Sequence, residues 1–224
     1  MIKPNEIEQL KQQFQFTMSK VSHEIRNPVH LINNQLRLLA QRHPEITDYE
    51  DWDDILDSME YLISLLNEIS SYNNAEKLTK EEISFSDFLE QVLTTVRPTL
   101  TYLNIDLDVD FPEECPSLPI DRIKMRQALI NLLRNAQEAI GQDGRIAICG
   151  QIQDQTLILT ISDTGCGISE DKLKDLFTPF VTFKKNGTGL GLAITRQVIE
   201  AHRGTIQVTS KEGEGTTFTI TLPL

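Results

Sequence analysis

Ser22-His23-Glu24-Ile25-Arg26-Asn27-Pro28 lies in a stretch whose apolar residues, Phe14, Met18, Val21, Ile25, Ile32, Leu36 and Leu39, alternate steps of three and four, broken only at Pro28. This is the seam of a coiled coil or bundle, and it predicts a helix of roughly 30 residues from Ile7 onward. With Met18 and Val21 on the seam, His23 falls two residues past it, on the solvent side, next to the Glu24 carboxylate. His43-Pro44-Glu45-Ile46-Thr47-Asp48 ends the helix, because Pro44 cannot continue it and Thr47 or Asp48 is placed to cap the next. Trp52, Ile55, Met59, Leu62, Leu66 and Ile69 then repeat the pattern. Two helices alone bury one stripe each, so the predicted hairpin completes its core as a four-helix bundle with a second copy.

Ser71 to Lys77 is polar and reads as a hinge that divides the chain into 1–76 and 77–224. Beyond it the pattern changes class. Ile83-Ser84-Phe85 is a short strand, Ser86 a candidate N-cap, and Phe88 to Leu103 a helix that Pro98 must kink or interrupt. Ile105, Leu107, Val109 and Phe111 alternate with Asp106, Asp108 and Asp110, a strand with one solvated face. Asp121 to Ile140 is a helix with Ile123, Ala128, Leu129, Leu132 and Leu133 on its buried face and Gly141 as its stop. Arg145–Cys149 and Thr156–Ile161 form a hairpin, short helices surround Leu173 and run over Leu192–Ala201, and Thr205–Val208 pairs with Thr217–Leu222. The fold class is α+β: a helical hairpin followed by a sandwich of one mixed sheet under a layer of helices.

The formal net charge of −12 argues against a nucleic-acid binder and against a polybasic membrane anchor, both of which need a basic face. Cys115, Cys149 and Cys166 lack CxxC spacing and read as free thiols of a reducing compartment. No apolar run approaches a membrane span, so the chain as given is expected to be soluble and cytoplasmic.

Chemistry concentrates in three stretches of the second half. Asn131 and Asn135, at i and i+4, share one helix face, where their oxygens can coordinate a cation, magnesium being the natural candidate. Asp163-Thr164-Gly165-Cys166-Gly167-Ile168 follows a buried strand, presenting a carboxylate that can accept from an amino group beside glycines that let a planar ring approach. Gly187-Thr188-Gly189-Leu190-Gly191-Leu192 opens a helix and makes an anion cradle, preceded by Lys184 and Lys185, two point charges suited to phosphates. It lacks the lysine and hydroxyl of a P-loop and the βαβ setting of a dinucleotide fold.

SHEIRNP, NLLRNA, DTGCGI, LFTPF and GTGLGL, in this order, resemble the H, N, G1, F and G2 boxes of the sensor histidine kinases of two-component systems. The resemblance covers nearly the whole chain. It implies a dimerisation and histidine phosphotransfer hairpin, then a Bergerat-type ATP-binding domain. His23 is then the phosphoacceptor, Glu24 its acid/base neighbour, and Asn27 the residue that orients water for phosphatase activity on the regulator. Pro28 would bend the helix below the site. Asn135 becomes the Mg²⁺ ligand, Asn131 lies near the phosphates of ATP, and Asp163 reads adenine. Gly165 and Gly167 line the pocket, Phe177 and Phe180 pin a lid, and Gly187, Gly189 and Gly191 cradle the phosphates. The six-residue lid, Val181 to Asn186, resembles the nitrogen-regulator and sporulation kinases.

The implied partners are a second copy and the receiver domain of a separate response regulator. About twenty residues precede His23, so the chain is expected to be the catalytic core of a larger sensor or else to receive its signal from a partner, the former being favoured. A Bergerat-fold ATPase or a serine kinase of that fold would not need His23-Glu24. Among the other histidines, His30 shares the His23 face without a neighbouring carboxylate, His43 sits in a turn, and His202 ends a helix, where a cation suits the dipole.

Overall fold

The computed structural model describes residues 4–112, 115–184 and 187–224, leaving out the side chains of 4–12, 14–16 and 23. Phe14 of the seam, the imidazole of His23 and all of Lys185 therefore lie outside the described residues. The chain separates into two compact units, Met1–Asn74 and Ala75–Leu224.

The first unit is a hairpin of α1 (Pro4–Arg42) and α2 (Glu50–Asn74), joined by a short 3-10 turn over Pro44–Asp48. Helix α1 runs through Pro28. Pro28 is exposed, so water can satisfy the carbonyl that loses its donor. The Thr47 hydroxyl donates to the Pro44 carbonyl at 2.8 Å, which ties it into the turn instead of capping α2.

The apolar seam proves to be two stripes. Val29, Met59 and Leu66 are buried between the helices with Leu36 and Ile63 packed against them, and Trp52 is buried one turn-pair before Met59. Val21, Ile25, Ile32, Leu39, Ile55 and Leu62 remain 42–46% exposed. A three–four repeat has two flanks, and a hairpin can cover only one of them. Two polar groups join the flank that is covered: the buried Ser22 hydroxyl and the Arg26 guanidinium both donate to the Leu66 carbonyl, at 3.3 and 3.1 Å.

The second unit holds β1 (Glu81–Ser84), α3 (Phe85–Tyr102), β2 (Ile105–Asp110), β3 (Ser117–Ile120), α4 (Arg122–Ile140), β4 (Gly144–Gln153), β5 (Thr156–Asp163), α5 (Glu170–Leu173), α6 (Gly191–Ala201), β6 (Thr205–Lys211) and β7 (Gly215–Pro223). Five strands form one mixed sheet in the order β2-β4-β5-β7-β6, parallel only between β2 and β4. β1 and β3 make a separate antiparallel ribbon. In the turn between β4 and β5, Asp154 and Gln155 both adopt left-handed φ, 48° and 58°, the conformation that matches the twist of a tight hairpin.

Leu157, Leu159 and Ile161 of β5 and Phe218, Ile220 and Leu222 of β7 face one continuous core with Phe85, Phe88 and Leu93 of α3 and Met125, Leu129 and Leu132 of α4. The opposite sheet face is hydroxyl-rich, with Ser162 bonded to Thr217 at 2.9 Å and Thr205 to Thr221 at 2.7 Å. The result is the two-layer α+β sandwich read from the sequence.

Three local expectations are corrected. Helix α3 is capped by Ser84, whose hydroxyl accepts from the Asp87 amide at 3.5 Å, and not by Ser86. It also continues through Pro98, which is exposed. Ile123 is 79% exposed, and Met125, fully buried, takes the inward position. The reason is phase: 125, 129, 132 and 136 recur on one helix face, and position 123 lies off it. Among the described residues, no helix is long and apolar enough to cross a membrane.

Candidate functional site

Helix α4 is the platform. Its N-cap is Asp121, whose carboxylate accepts from the Lys124 amide at 3.1 Å and the Thr79 amide at 2.8 Å. Burial raises the Asp121 pKa, but these two amides, with Lys124 and His202 nearby, more than offset it and leave the group below its ordinary value. At the other end, Gly141 closes the helix with φ 76°.

Three segments converge on the stretch of α4 from Asn131 to Ala139. The first is the N-terminus of α6. The Asn131 side-chain amide donates to the Thr195 hydroxyl at 3.0 Å, and that hydroxyl donates to the Gly191 carbonyl at 3.0 Å. A Cβ at Gly191 would stand 2.5 Å from Asn131 Oδ1, so only glycine lets α6 start this close to α4. The first turn of α6 has no side-chain cap and no acidic residue. A helix start with neither a side-chain cap nor an acidic residue leaves the positive end of its dipole uncompensated, the ready condition for an anion.

The second is the loop after β5. Asp163 is buried at the strand end, and its Oδ1 accepts from the Gly165 amide at 2.8 Å and the Thr216 amide at 3.3 Å. Among the described residues nothing engages Oδ2. Burial pushes this carboxyl above its ordinary value, and the two amides pull it part of the way back. The Cys166 amide donates to the Ala139 carbonyl at 3.0 Å, and a Cβ at Gly165 would come within 2.6 Å of the Ala139 backbone. Gly167, at φ 67°, would meet the Lys211 carbonyl. These glycines have a reason beyond the approach of a ring, since each lets the loop close on its own protein neighbours.

The third is the segment from Phe177 to Gly189. Phe177 packs edge-on against Phe218 at 6.5 Å, and Arg196 of α6 lies over its ring at 5.4 Å. Phe180 is 47% exposed with φ 64°, and its amide donates to the Gly189 carbonyl at 3.1 Å. Gly189 has φ 71°, and a Cβ there would stand 2.6 Å from the Phe180 carbonyl carbon. Phe177 therefore anchors the loop, while Phe180 holds its base in a strained turn. Leu190 is fully buried, and its amide donates to the Thr188 hydroxyl at 3.3 Å. The Lys184 ammonium donates to Asn135 Oδ1 at 2.7 Å and pairs with the Glu138 carboxylate.

That last contact bears on magnesium. Asn135 Oδ1 and Glu138 already hold one cation, a lysine ammonium, between hard oxygen donors, so the donor set fits a hard ion. Among the described residues no group of three or more His, Cys, Asp and Glu could hold a metal ion.

Asn131, Asn135, Asp163, Gly165, Lys184 and Gly191 are thus brought together around α4. Glu138, Thr195 and Thr216 join them without having been singled out in the sequence. Only Glu138 carried a signal, one turn beyond Asn135. His23, Glu24 and Asn27 belong to the other unit, on α1, where Asn27 is exposed and Glu24 is exposed and 4.0 Å from Lys20.

His202, read as a cation at a helix end, is instead buried. Burial lowers its pKa, and both ring nitrogens are engaged within the fold.

Residues 120–224 match the family described as histidine kinase-, DNA gyrase B- and HSP90-like ATPase. The signal transduction histidine-protein kinase AtoS of Escherichia coli (strain K12) is 32% identical over 92% of this chain and 34% of its own length. Sporulation kinase E of Bacillus subtilis (strain 168) is 31% identical over 91% of this chain and 28% of its own length. The chain spans less than half the length of these curated relatives. The solved catalytic domain of histidine kinase ThkA is 31% identical with a TM-score of 0.60, covering 65% of this chain and 96% of that domain. ThkA solved in complex with the response regulator protein TrrA is 26% identical with a TM-score of 0.68, over 98% of this chain and 66% of that one.

Proposed function

The chain belongs to the histidine protein kinases, and from that membership we propose that it transfers the γ-phosphoryl group of ATP to His23 and then to an aspartate of a separate response regulator. The observation that carries the reading is the presence on one chain of two complementary parts. A nucleotide-type site is assembled around α4, and a hairpin bears His23 next to Glu24.

In this reading Asp163 accepts from the adenine amino group through its open Oδ2, and the uncapped end of α6 receives the phosphates with Asn131, Thr188 and Gly187 to Gly191 around it. Lys184 and Lys185 supply point charges to the phosphates. Asn135 would hold Mg²⁺, which when bound neutralises charge on the phosphates. A ring nitrogen of neutral His23 forms a bond to the γ-phosphorus while the bond to the bridging oxygen breaks and ADP leaves; Glu24 takes the ring proton. The unperturbed histidine pKa of about 6.5 keeps an adequate neutral fraction near pH 7. Asn27 would orient water for hydrolysis of the regulator's phosphoaspartate.

Two partners follow. The exposed stripe of Val21, Ile25, Ile32, Leu39, Ile55 and Leu62 is apolar surface that a second hairpin would cover, making a homodimeric four-helix bundle. The ThkA–TrrA complex supports a receiver domain as acceptor.

The test is incubation with [γ-³²P]ATP. Label should appear on the protein, survive base and be lost in acid, and His23→Gln should abolish it while nucleotide binding persists. Acid-labile label retained by His23→Gln would overturn the assignment.

A further inference from the structure

Glu138 is a carboxylate aimed at a site that is to hold a polyanion, and nothing in the phosphoryl-transfer reading uses it. It lies one turn beyond Asn135 on the same face of α4, and the two side chains share one ammonium, that of Lys184. The adjacent lid residue is tied as well: Lys172 of the α5 helix lies over the Phe183 ring at 5.3 Å. Lys184 thus spends two of its three donors on α4. Arriving phosphates compete for the same ammonium. If Lys184 turned to them with nothing in its place, the Glu138 carboxylate would be left facing the phosphates, a like-charge encounter.

Resting on the nucleotide reading above, we propose that the Lys184 ammonium and a divalent cation are alternative occupants of one seat formed by Asn135 Oδ1 and Glu138 Oε2. Lys184 fills the seat in the nucleotide-free protein. It leaves for the terminal phosphate when the ion takes its place, so the charge on Glu138 is balanced in both states. Glu138 is the residue that makes nucleotide binding conditional on the metal: ATP without the ion must either forgo Lys184 or meet an unpaired carboxylate. The cation–π contact of Lys172 with Phe183 involves neither Asn135 nor Glu138, so the exchange does not require it to break.

Two measurements on the whole chain decide it. ATP affinity is measured calorimetrically for the wild type and Glu138→Gln, in excess Mg²⁺ and in EDTA. The wild type should lose about tenfold or more on removing Mg²⁺. Glu138→Gln should lose about threefold or less, with metal-free ATP bound more tightly than by the wild type, as expected from removing one like charge. Equal losses in both proteins overturn the exchange, whereas failure of the wild type to bind Mg–ATP overturns the nucleotide reading as well.

The second measurement needs no nucleotide. Mn²⁺, followed by its electron paramagnetic resonance signal, should bind Lys184→Met about three- to tenfold more tightly than the wild type, because the competing ammonium is gone. Adding Glu138→Gln should remove that gain. Identical Mn²⁺ binding by the wild type and Lys184→Met overturns the shared seat whatever ATP does.

Discussion

The backbone amide of Asp121 donates to Nε2 of His202 at 2.8 Å, while Nδ1 of the same ring lies 2.7 Å from the Val198 carbonyl. A nitrogen that accepts from an amide carries no proton, so Nδ1–H donates to Val198 and the ring is neutral. The bond joins the end of α6 to the start of α4, and the Asp121 carboxylate continues it to Thr79. Gly191 begins α6 at its other end, and Asn131 and Asn135 lie further along α4, so the ring holds together the helices that frame the site.

Protonating His202 would place two N–H groups where one must accept. Burial lowers its pKa most strongly; the Val198 carbonyl raises it, Lys80 and Lys124 lower it further, and Asp121 opposes them. The folded value lies below the unfolded one of about 6.5, so the unfolded chain takes up the proton first as pH falls. Stability of the second unit is therefore full above about pH 6.5 and is lost as pH drops from there through the folded value, by at most ~1.4 kcal/mol per pH unit. Urea unfolding of wild type and His202→Gln between pH 5 and 8 checks it. The variant should be less stable at pH 7.5 and should lose the part of the slope due to this ring; an unchanged slope would refute the neutral assignment.

Asp163 presents the opposite sign. Its folded pKa is raised by burial against the pull of the Gly165 and Thr216 amides, so its charge costs stability near neutral pH. Asp163→Asn keeps an oxygen for those two amides and removes the charge. The variant should melt at the same temperature or higher at pH 7, with its advantage shrinking as pH falls through the folded pKa toward the ordinary carboxylate range. It should nevertheless bind ATP at least about tenfold more weakly, the cost expected when a charge-assisted hydrogen bond is lost. Scanning calorimetry and nucleotide titration read the two effects separately, and unimpaired ATP binding would remove Asp163 from the adenine site.

What the sequence made legible follows from the range of the interaction. Helix periods and the β4–β5 and β6–β7 hairpins are local patterns, and they were readable to within a few residues. The seam of α1 was readable as apolar, but period alone does not say which flank faces α2; Val29 and Ile32 differ in burial because of a helix elsewhere in the chain. β3 carries Pro119 in only four residues, too short and too interrupted for an alternation signal. Ile123 departs from the expected buried face because an apolar residue in the first turn need not share that face's phase. The Lys184–Glu138 pair joins residues 46 apart, and no local rule pairs two charged residues at that distance. The Asn131, Asp163 and Gly191 motifs were each legible from residue type and spacing, and their joint role through resemblance. The close approaches that explain their glycines are properties of the folded backbone.

The two stripes of the hairpin should respond differently to substitution. Met59 is buried in the intra-hairpin flank, so Met59→Ala should destabilise the first unit by ~2–5 kcal/mol. Ile32 and Leu62 lie on the exposed flank. Ile32→Glu with Leu62→Glu should leave the monomer helical and convert the proposed dimer to monomer, by burying unpaired charge at the interface. Light scattering coupled to size exclusion, with circular dichroism on the same sample, distinguishes the cases. A double variant that remains dimeric would place the second copy on another surface.

Helix α6 ends in a Schellman turn. The Arg203 amide donates to the Glu200 carbonyl at 2.8 Å and the Gly204 amide to the Ile199 carbonyl at 2.9 Å, with Arg203 at φ 64°. That residue is the left-handed one, the position where glycine is favoured because a Cβ crowds the following carbonyl. Arg203 is exposed, so its side chain offers little packing in compensation. Arg203→Gly should therefore stabilise the second unit by ~1 kcal/mol, the gain from relieved strain exceeding the added freedom of the unfolded chain. Arg203→Val should destabilise it, since a β-branched side chain tolerates this conformation worst. Urea midpoints at constant m-value give both numbers. A glycine variant less stable than the wild type would mean that Arg203 holds the turn through its side chain and not in spite of it.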